Sequence, residues 1–302
     1  VEFVIPFDVL DDASIPEGAD IILKLENVDN NTIKCNEKDQ DIKKVINLNL
    51  EIVKNGKAAE VSKFKSPIIV KVNVKDLGDK DKLAAYYLRE QDNTLEFVTG
   101  KVIDNQVVLK LNHFSKYVIL QSNKTFEDMD NHWARLYVES MAAKNVINGY
   151  RDGTFRPNDE ITRAEFAAMV INGLEKELVE YKGEFTDVNA DEWYADYLAT
   201  IKELGFAKGY EDGTFRPNAK ITRAEMATIL SNMIDVEVSE KEVDNLLAQF
   251  TDKDDFEPWA VENIAKVVKA KIMEGSNGKF LSKNNATRAE AATIIYRIYT
   301  KQ

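Results

Sequence analysis

The chain has 302 residues, 44% hydrophobic and 30% charged, which is enough apolar material for two domains with separate cores and too much for a disordered chain. Fifty-two acidic against 40 basic side chains give a formal charge of −12, which disfavours nucleic acid and anionic membrane surfaces as partners. With one cysteine, Cys35, and two histidines, His113 and His132, neither a disulfide framework nor a metal-ligand set is expected, and no cofactor.

No apolar run approaches the roughly 18 to 20 residues that cross a bilayer, so membrane insertion is not expected. The chain begins at Val1 with no signal-peptide pattern, and the expectation is a processed or trimmed chain.

From the N-terminus the sequence alternates. Runs at 21–25, 45–53, 67–74, 84–88, 102–111 and 117–120 are rich in valine, isoleucine and tyrosine and are broken by Asp, Asn and Gly clusters. The turn signals Asn55-Gly56 and Asp104-Asn105 fall among these runs. Residues 1–122 are therefore predicted to form an antiparallel β-sandwich. From Phe126 the pattern becomes helical, with Trp133, Leu136, Val138, Met141 and Ala142 at amphipathic spacing. Arginine use changes at the same boundary, since Arg89 precedes it and the other eight arginines follow.

The second half repeats itself. Gly149-Tyr-Arg-Asp-Gly-Thr-Phe-Arg-Pro-Asn158 recurs 60 residues later as Gly209-Tyr-Glu-Asp-Gly-Thr-Phe-Arg-Pro-Asn218, with nine of ten positions identical. Thr-Arg-Ala-Glu stands three times, at 162–165, 222–225 and 287–290. Phe-x-Asp precedes each copy at Phe126, Phe185 and Phe250, and each leads to a tryptophan, Trp133, Trp193 or Trp259. A helix is expected from each tryptophan, ended with the help of Gly149 in the first copy, then an Asp-Gly turn. Thr162 with Glu165 reads as a capping box that starts a second helix, whose face of Ala164, Ala167, Val170, Ile171 and Leu174 needs neighbouring copies to bury it.

These residues strongly resemble the S-layer homology family of bacterial surface proteins. The resemblance implies three helix-loop-helix modules at 126–180, 185–236 and 250–302 in an all-α pseudo-threefold bundle. It further implies grooves between modules that bind an anionic, pyruvylated secondary cell wall polysaccharide attached to peptidoglycan, and an extracellular location in the cell wall or S-layer. The third copy departs from the pattern. Gly275-Ser-Asn-Gly-Lys-Phe280 is one residue shorter and Leu281-Ser282 replaces Arg-Pro, so its loop is expected to be less cationic and Arg288 to matter less than Arg163 or Arg223. The run 111–120 of the first half more distantly resembles the closing strands of ZU5-like β-sandwich modules.

The repeated residues allow two readings each. Arg163, Arg223 and Arg288 stand at the positive end of a helix dipole, which disfavours a cation by roughly 0.3 to 1 kcal/mol. The offset is either a salt bridge to Glu165, Glu225, Glu290 or a neighbouring module, or an anionic ligand held jointly with helix N–H groups. Substitution of Arg223 by lysine is expected to cost binding and little stability. Trp133, Trp193 and Trp259 either fill cores or stack on sugars, Tyr150 and Tyr210 are expected at exposed turns, and Asp152 and Asp212 read as turn formers or sugar ligands. The acidic stretches near Asp128, Asp187 and Asp252 lack the glycine and closing glutamate of a calcium loop and read as helix-start aspartates.

No nucleophile elbow, phosphate loop or metalloprotease motif is present, and Cys35 has no evident histidine partner. The sequence therefore predicts a non-enzymatic wall anchor. Two other readings remain: a lattice-forming surface protein that self-associates through its repeat arginines, and a glycoside hydrolase fragment using paired carboxylates.

Overall fold

In the computed structural model, residues 1–6, 8–10, 15–33, 40–61 and 63–301 are described, and Cys35 lies outside them. These residues divide into a β-sandwich unit (Val1–Thr125 with Glu139–Asn145) and a helical unit (Phe126–Val138 with Val146–Gln302).

The sandwich follows from alternation. One sheet has the order β1 (Glu2–Val4), β5 (Ile68–Asn73), β9 (Gln106–Leu111), β8 (Val102–Ile103). The other runs β2 (Asp20–Val28), β3 (Gln40–Lys54), β10 (Lys116–Ser122), β6 (Leu83–Arg89), β7 (Thr94–Thr99), with β4 (Lys57–Glu60) also paired to β3. Every other residue points inward, as Ile46, Leu48 and Leu50 do on β3, Ile68, Val70 and Val72 on β5, and Val107, Leu109 and Leu111 on β9. The predicted run 102–111 is two strands, because Asp104 and Asn105 take φ of 50° and 59° and turn the chain in a tight hairpin. Strands β1, β4 and β7 were not anticipated, and β4, Lys-Ala-Ala-Glu, is exposed throughout and has no buried face to betray it. Tyr117, buried on β10, donates its hydroxyl to His113 O at 2.8 Å, and the His113 ring stacks on it. Ser140 donates to Asp81 O, and the buried Lys144 ammonium to Lys80 O, Leu83 O and Gly100 O, which accounts for Glu139–Asn145 belonging with the sheets.

The helical unit repeats one plan. α1 (Arg135–Ala143) and α2 (Arg163–Gly173) form the first repeat, α3 (Ala195–Glu203) and α4 (Arg223–Ser231) the second, and α6 (Val261–Lys269) and α7 (Arg288–Tyr299) the third. α5 (Glu240–Leu247) lies between the second and third repeats, capped by its own box of Ser239 and Glu242. Thr162, Thr222 and Thr287 each complete the predicted capping box with Glu165, Glu225 and Glu290.

The three segments before these caps close a ring. Ile161 N–H donates to Ala286 O (3.0 Å), Ala286 N–H to Ile221 O (2.9 Å), and Ile221 N–H to Ile161 O (3.1 Å). No repeat could satisfy these groups alone, which makes the threefold arrangement cooperative. Ring pairs Phe126–Phe155, Phe185–Phe215 and Phe250–Phe280, with centroids 5.5, 5.0 and 5.5 Å apart, fill the equivalent loop cores. Gly149 does not end a helix as predicted, because α1 stops at Ala143. It is required instead by space, since a Cβ there would lie 2.3 Å from the Phe126 ring and 2.7 Å from Thr154 O.

Candidate functional site

The arginine that opens each capped helix is buried, with relative exposures of 6%, 6% and 5% for Arg163, Arg223 and Arg288. Each reaches into another repeat. Arg163 donates to Phe215 O (2.8 Å) and Glu225 Oε1 (3.0 Å). Arg223 donates to Phe280 O (2.8 Å), Glu290 Oε1 (2.7 Å) and Glu274 O (2.7 Å). Arg288 returns to the first repeat, donating to Phe155 O (2.9 Å), Glu165 Oε1 (3.0 Å) and Asn148 O (3.1 Å). The glutamate that caps one helix thus also receives the arginine of another, and the three pairs run around the axis in one direction. A guanidinium has five N–H donors, so Arg223 and Arg288 retain donors beyond these three contacts.

Burial shapes the charges. It lowers the Arg223 pKa, against the pull of Glu290. At Glu225 burial acts to raise the carboxyl, but the Tyr210 hydroxyl, the Thr222 backbone N–H and Arg163 outweigh it and the net shift is downward.

The anion site expected from helix N–H groups is not formed. Arg163 N–H and Ala164 N–H donate to Ala219 O and Pro217 O, and Glu165 N–H donates to the Thr162 hydroxyl. The equivalent groups at Arg223 and Ala224, and at Arg288 and Ala289, are used in the same way.

The aromatic residues divide. Trp133, Trp193 and Trp259 are 60%, 58% and 53% exposed, too open to be core fillers. Tyr150 and Tyr210 are half-buried, each between two arginines. The Arg156 and Arg288 guanidinium carbons lie 3.9 and 4.9 Å from the Tyr150 ring centre, and those of Arg216 and Arg163 lie 3.9 and 4.7 Å from that of Tyr210. Tyr210 also donates its hydroxyl to Glu225. Asp152 and Asp212 are exposed turn formers whose carboxylates accept from Thr154 and Thr214 and pair with Arg156 and Arg216. Those bonds, the threonine hydroxyls foremost, hold both carboxyls down at about 2.

Asp128, Asp187 and Asp252 do more than complement a dipole. Each carboxylate accepts two consecutive backbone N–H groups from its loop, Phe155 and Arg156, Phe215 and Arg216, or Phe280 and Leu281. The second residue of each pair has φ near +60° (57°, 58° and 61°), so the aspartate clamps a left-handed backbone residue in place. Threefold recurrence of Phe-x-Asp ahead of the loop was the signal for this role. His132 accepts the Ala134 N–H near the start of α1. Among the described residues no group of three or more His, Cys, Asp or Glu side chains is gathered to hold a metal.

Among the described residues, two of the grooves bring some of the named residues together, and Arg163, Glu225, Trp259, Tyr210, Asp152 and Asp212 line neither of them. One, of about 310 Å³, is lined by Tyr150, Glu165, Asn172, Trp193 and Arg288 among others. The other, of about 540 Å³, is lined by Trp133, Arg223, Ser276, Glu290 and Arg297 among others. Each joins a tryptophan from one repeat, an arginine from a second and a loop from a third. Arg288 thus faces the intact first loop and Arg223 the shortened third.

This triplicated helix-loop-helix with an arginine-glutamate ring defines the class. Residues 125–167, 184–227 and 249–292 match the S-layer homology domain, and the chain carries three domains of that family. Amylopullulanase of Thermoanaerobacterium thermosulfurigenes is 33% identical over 317 residues, covering 97% of this chain, sandwich included, and 17% of that protein. The cellulosome-anchoring protein of Acetivibrio thermocellus is 35% identical over 153 residues (49% of this chain, 33% of that one). The surface-layer 125 kDa protein of Lysinibacillus sphaericus is 36% identical over 169 residues (55% and 14%). The chain thus spans a third or less of the length of these relatives.

Proposed function

We propose that this chain anchors the protein that carries it to a bacterial cell wall, without catalysis, by binding an anionic, pyruvylated secondary cell wall polysaccharide in the grooves between S-layer homology domains. The observation that carries the reading is the composition of the grooves. An exposed indole offers a face to sugar C–H groups, a guanidinium with spare donors lies in the lining, and both volumes fall in the range of small-ligand sites. The names of the relatives support it, one being a cellulosome-anchoring protein and another a surface-layer protein, while the similarity to amylopullulanase covers 17% of that enzyme. The internal engagement of Arg163, Arg223 and Arg288 speaks against their use between copies in a lattice.

The test is co-sedimentation of the full chain with purified sacculi, before and after the non-peptidoglycan polymer is stripped by mild acid. Binding should vanish with the polymer and be competed by polysaccharide released from untreated sacculi with a muramidase, which leaves acid-labile ketals in place. Trp193→Ala should weaken it while leaving stability within about 0.5 kcal/mol, as expected at an exposed site. Undiminished binding to stripped sacculi would sink the reading.

A further inference from the structure

The two grooves are built on the same frame and differ at a few positions. Tyr150 and Ser276 are equivalent: Tyr150 N–H donates to Thr154 O at 2.8 Å and Ser276 N–H to Lys279 O at 2.8 Å. In the smaller groove Arg288 lies against the rings of both Tyr150 and Phe155, whereas Arg223 keeps the equivalent Phe280 ring and meets serine where the phenol would be. Asn172 and Arg297 are equivalent too, since they donate to the equivalent carbonyls Val146 O (3.3 Å) and Ile272 O (3.2 Å). Arg297 therefore restores on the helix side the cation that the third loop lost when leucine took the place of Arg156, and it pairs with Glu274 at 3.0 Å.

We infer that Ser276 and Arg297 are the specificity-determining residues of the larger groove, which takes a bulkier, carboxylate-bearing sugar residue that the Tyr150 groove excludes by size. The inference rests on the polysaccharide reading above. The missing phenol supplies room, consistent with about 540 Å³ against about 310 Å³. Two guanidinium groups, Arg223 and Arg297, line that room beside their partners Glu290 and Glu274, and the donors each fork keeps beyond its pair match a carboxylate in a two-pronged contact. Trp133 adds an apolar shoulder for a methyl-bearing substituent. The defect in the third repeat is on this account a widened site.

Calorimetric titration of the full 302-residue chain decides it. The probe is polysaccharide released from sacculi by a peptidoglycan-cleaving muramidase and separated into short fragments, used with its carboxylate ketals intact and after their hydrolysis in mild acid. Ser276→Tyr should weaken the intact fragments at one class of site at least tenfold, or remove that class from the stoichiometry. Arg297→Asn, which installs the residue of the first two repeats, should weaken the intact fragments at least tenfold and the hydrolysed ones less than twofold. Tyr150→Ser should strengthen binding of the intact fragments at the smaller groove. Unchanged stoichiometry and affinity in Ser276→Tyr and Arg297→Asn, with parental circular dichroism melts, would overturn the assignment while leaving wall binding intact. Absence of any binding by the parent chain would instead remove the polysaccharide reading itself.

Discussion

Arg163 and Arg216 both belong to repeated motifs, Thr-Arg-Ala-Glu in three copies and Phe-Arg-Pro in two; both sit 2.9 to 3.0 Å from a carboxylate, and both lie over the ring of Tyr210. They differ in exposure, 7% against 51% for the side chain. The buried arginine binds a glutamate from another repeat and a backbone carbonyl besides, so its loss strands a charge inside the protein. The exposed one binds an aspartate four residues away across a loop surface, where water and salt stand in for either partner. Equal distances therefore do not mean equal worth, and surroundings decide which arginine holds the trimer of repeats together.

The sharpest way to break this contrast is at the closing pair. Arg288→Ala leaves Glu165 without its partner and Phe155 O and Asn148 O without donors, across a sequence separation of 123 residues or more. Loss of one member of a buried pair costs about 3 kcal/mol or more. Denaturant unfolding of the full chain should show it, and a cost below about 1 kcal/mol would mean that the ring is not what closes the bundle.

Arg223→Lys should come next. The sequence alone suggested that lysine would be tolerated by the fold, but one ammonium on a flexible stem cannot meet Phe280 O, Glu290 and Glu274 O in the fixed directions of the fork. A cost of about 1.5 kcal/mol is expected from a lost charge-assisted bond. If lysine proves neutral in unfolding, geometry matters less here than charge.

The repeats were legible because each signal was written three times. Capping boxes, Asp-Gly turns and the role of a helix start follow from local rules that Thr162, Glu165, Asp152 and Gly153 obey without reference to the rest of the chain. What could not be read was the partner across the axis. Nothing local tells Arg223 that its carboxylate is Glu290, 67 residues on, or that the loop it faces is the third. The same holds in the sheets, where Val107, Leu109 and Leu111 announce a buried face, while Lys57–Glu60 pairs with β3 only because an Asn-Gly hairpin returns it there.

Acid should separate the loops themselves. Asp152 and Asp212 have folded pKa values lowered to about 2 from 3.8, so the order they confer is present above about pH 4 and fades as pH falls toward 2. Glu225, also lowered, adds in the same direction from its ordinary 4.5. The third loop turns through Asn277 and Gly278 with no carboxylate in the turn. Amide exchange between pH 5 and 2, corrected for intrinsic rates, should accelerate at Thr154 and Thr214 more than at Ser276. Parallel behaviour at all three would mean that the turn carboxylates are not what order the first two loops.

The smallest effect is expected where the pairing looks as good as anywhere. Arg156 meets Asp152 at 2.8 Å and stacks 3.9 Å from the centre of Tyr150, yet its side chain is 43% exposed and its partner 50%. Replacing it with alanine removes a screened ion pair and one face of a cation–π contact whose other face, Arg288, stays in place. The left-handed backbone at this position, φ 57°, is held by Asp128 through N–H groups that alanine keeps, although alanine accepts that φ no more readily than arginine does. The third repeat runs the same control naturally, with Leu281, which has no charge to pair, clamped by Asp252 at φ 61°. Arg156→Ala should therefore leave the denaturant midpoint of the full chain within error of the parent, and raising the salt concentration should narrow any residual difference. A drop comparable with that of Arg288→Ala would show that loop surface and buried ring are energetically one structure, and burial would no longer be what separates the two arginines.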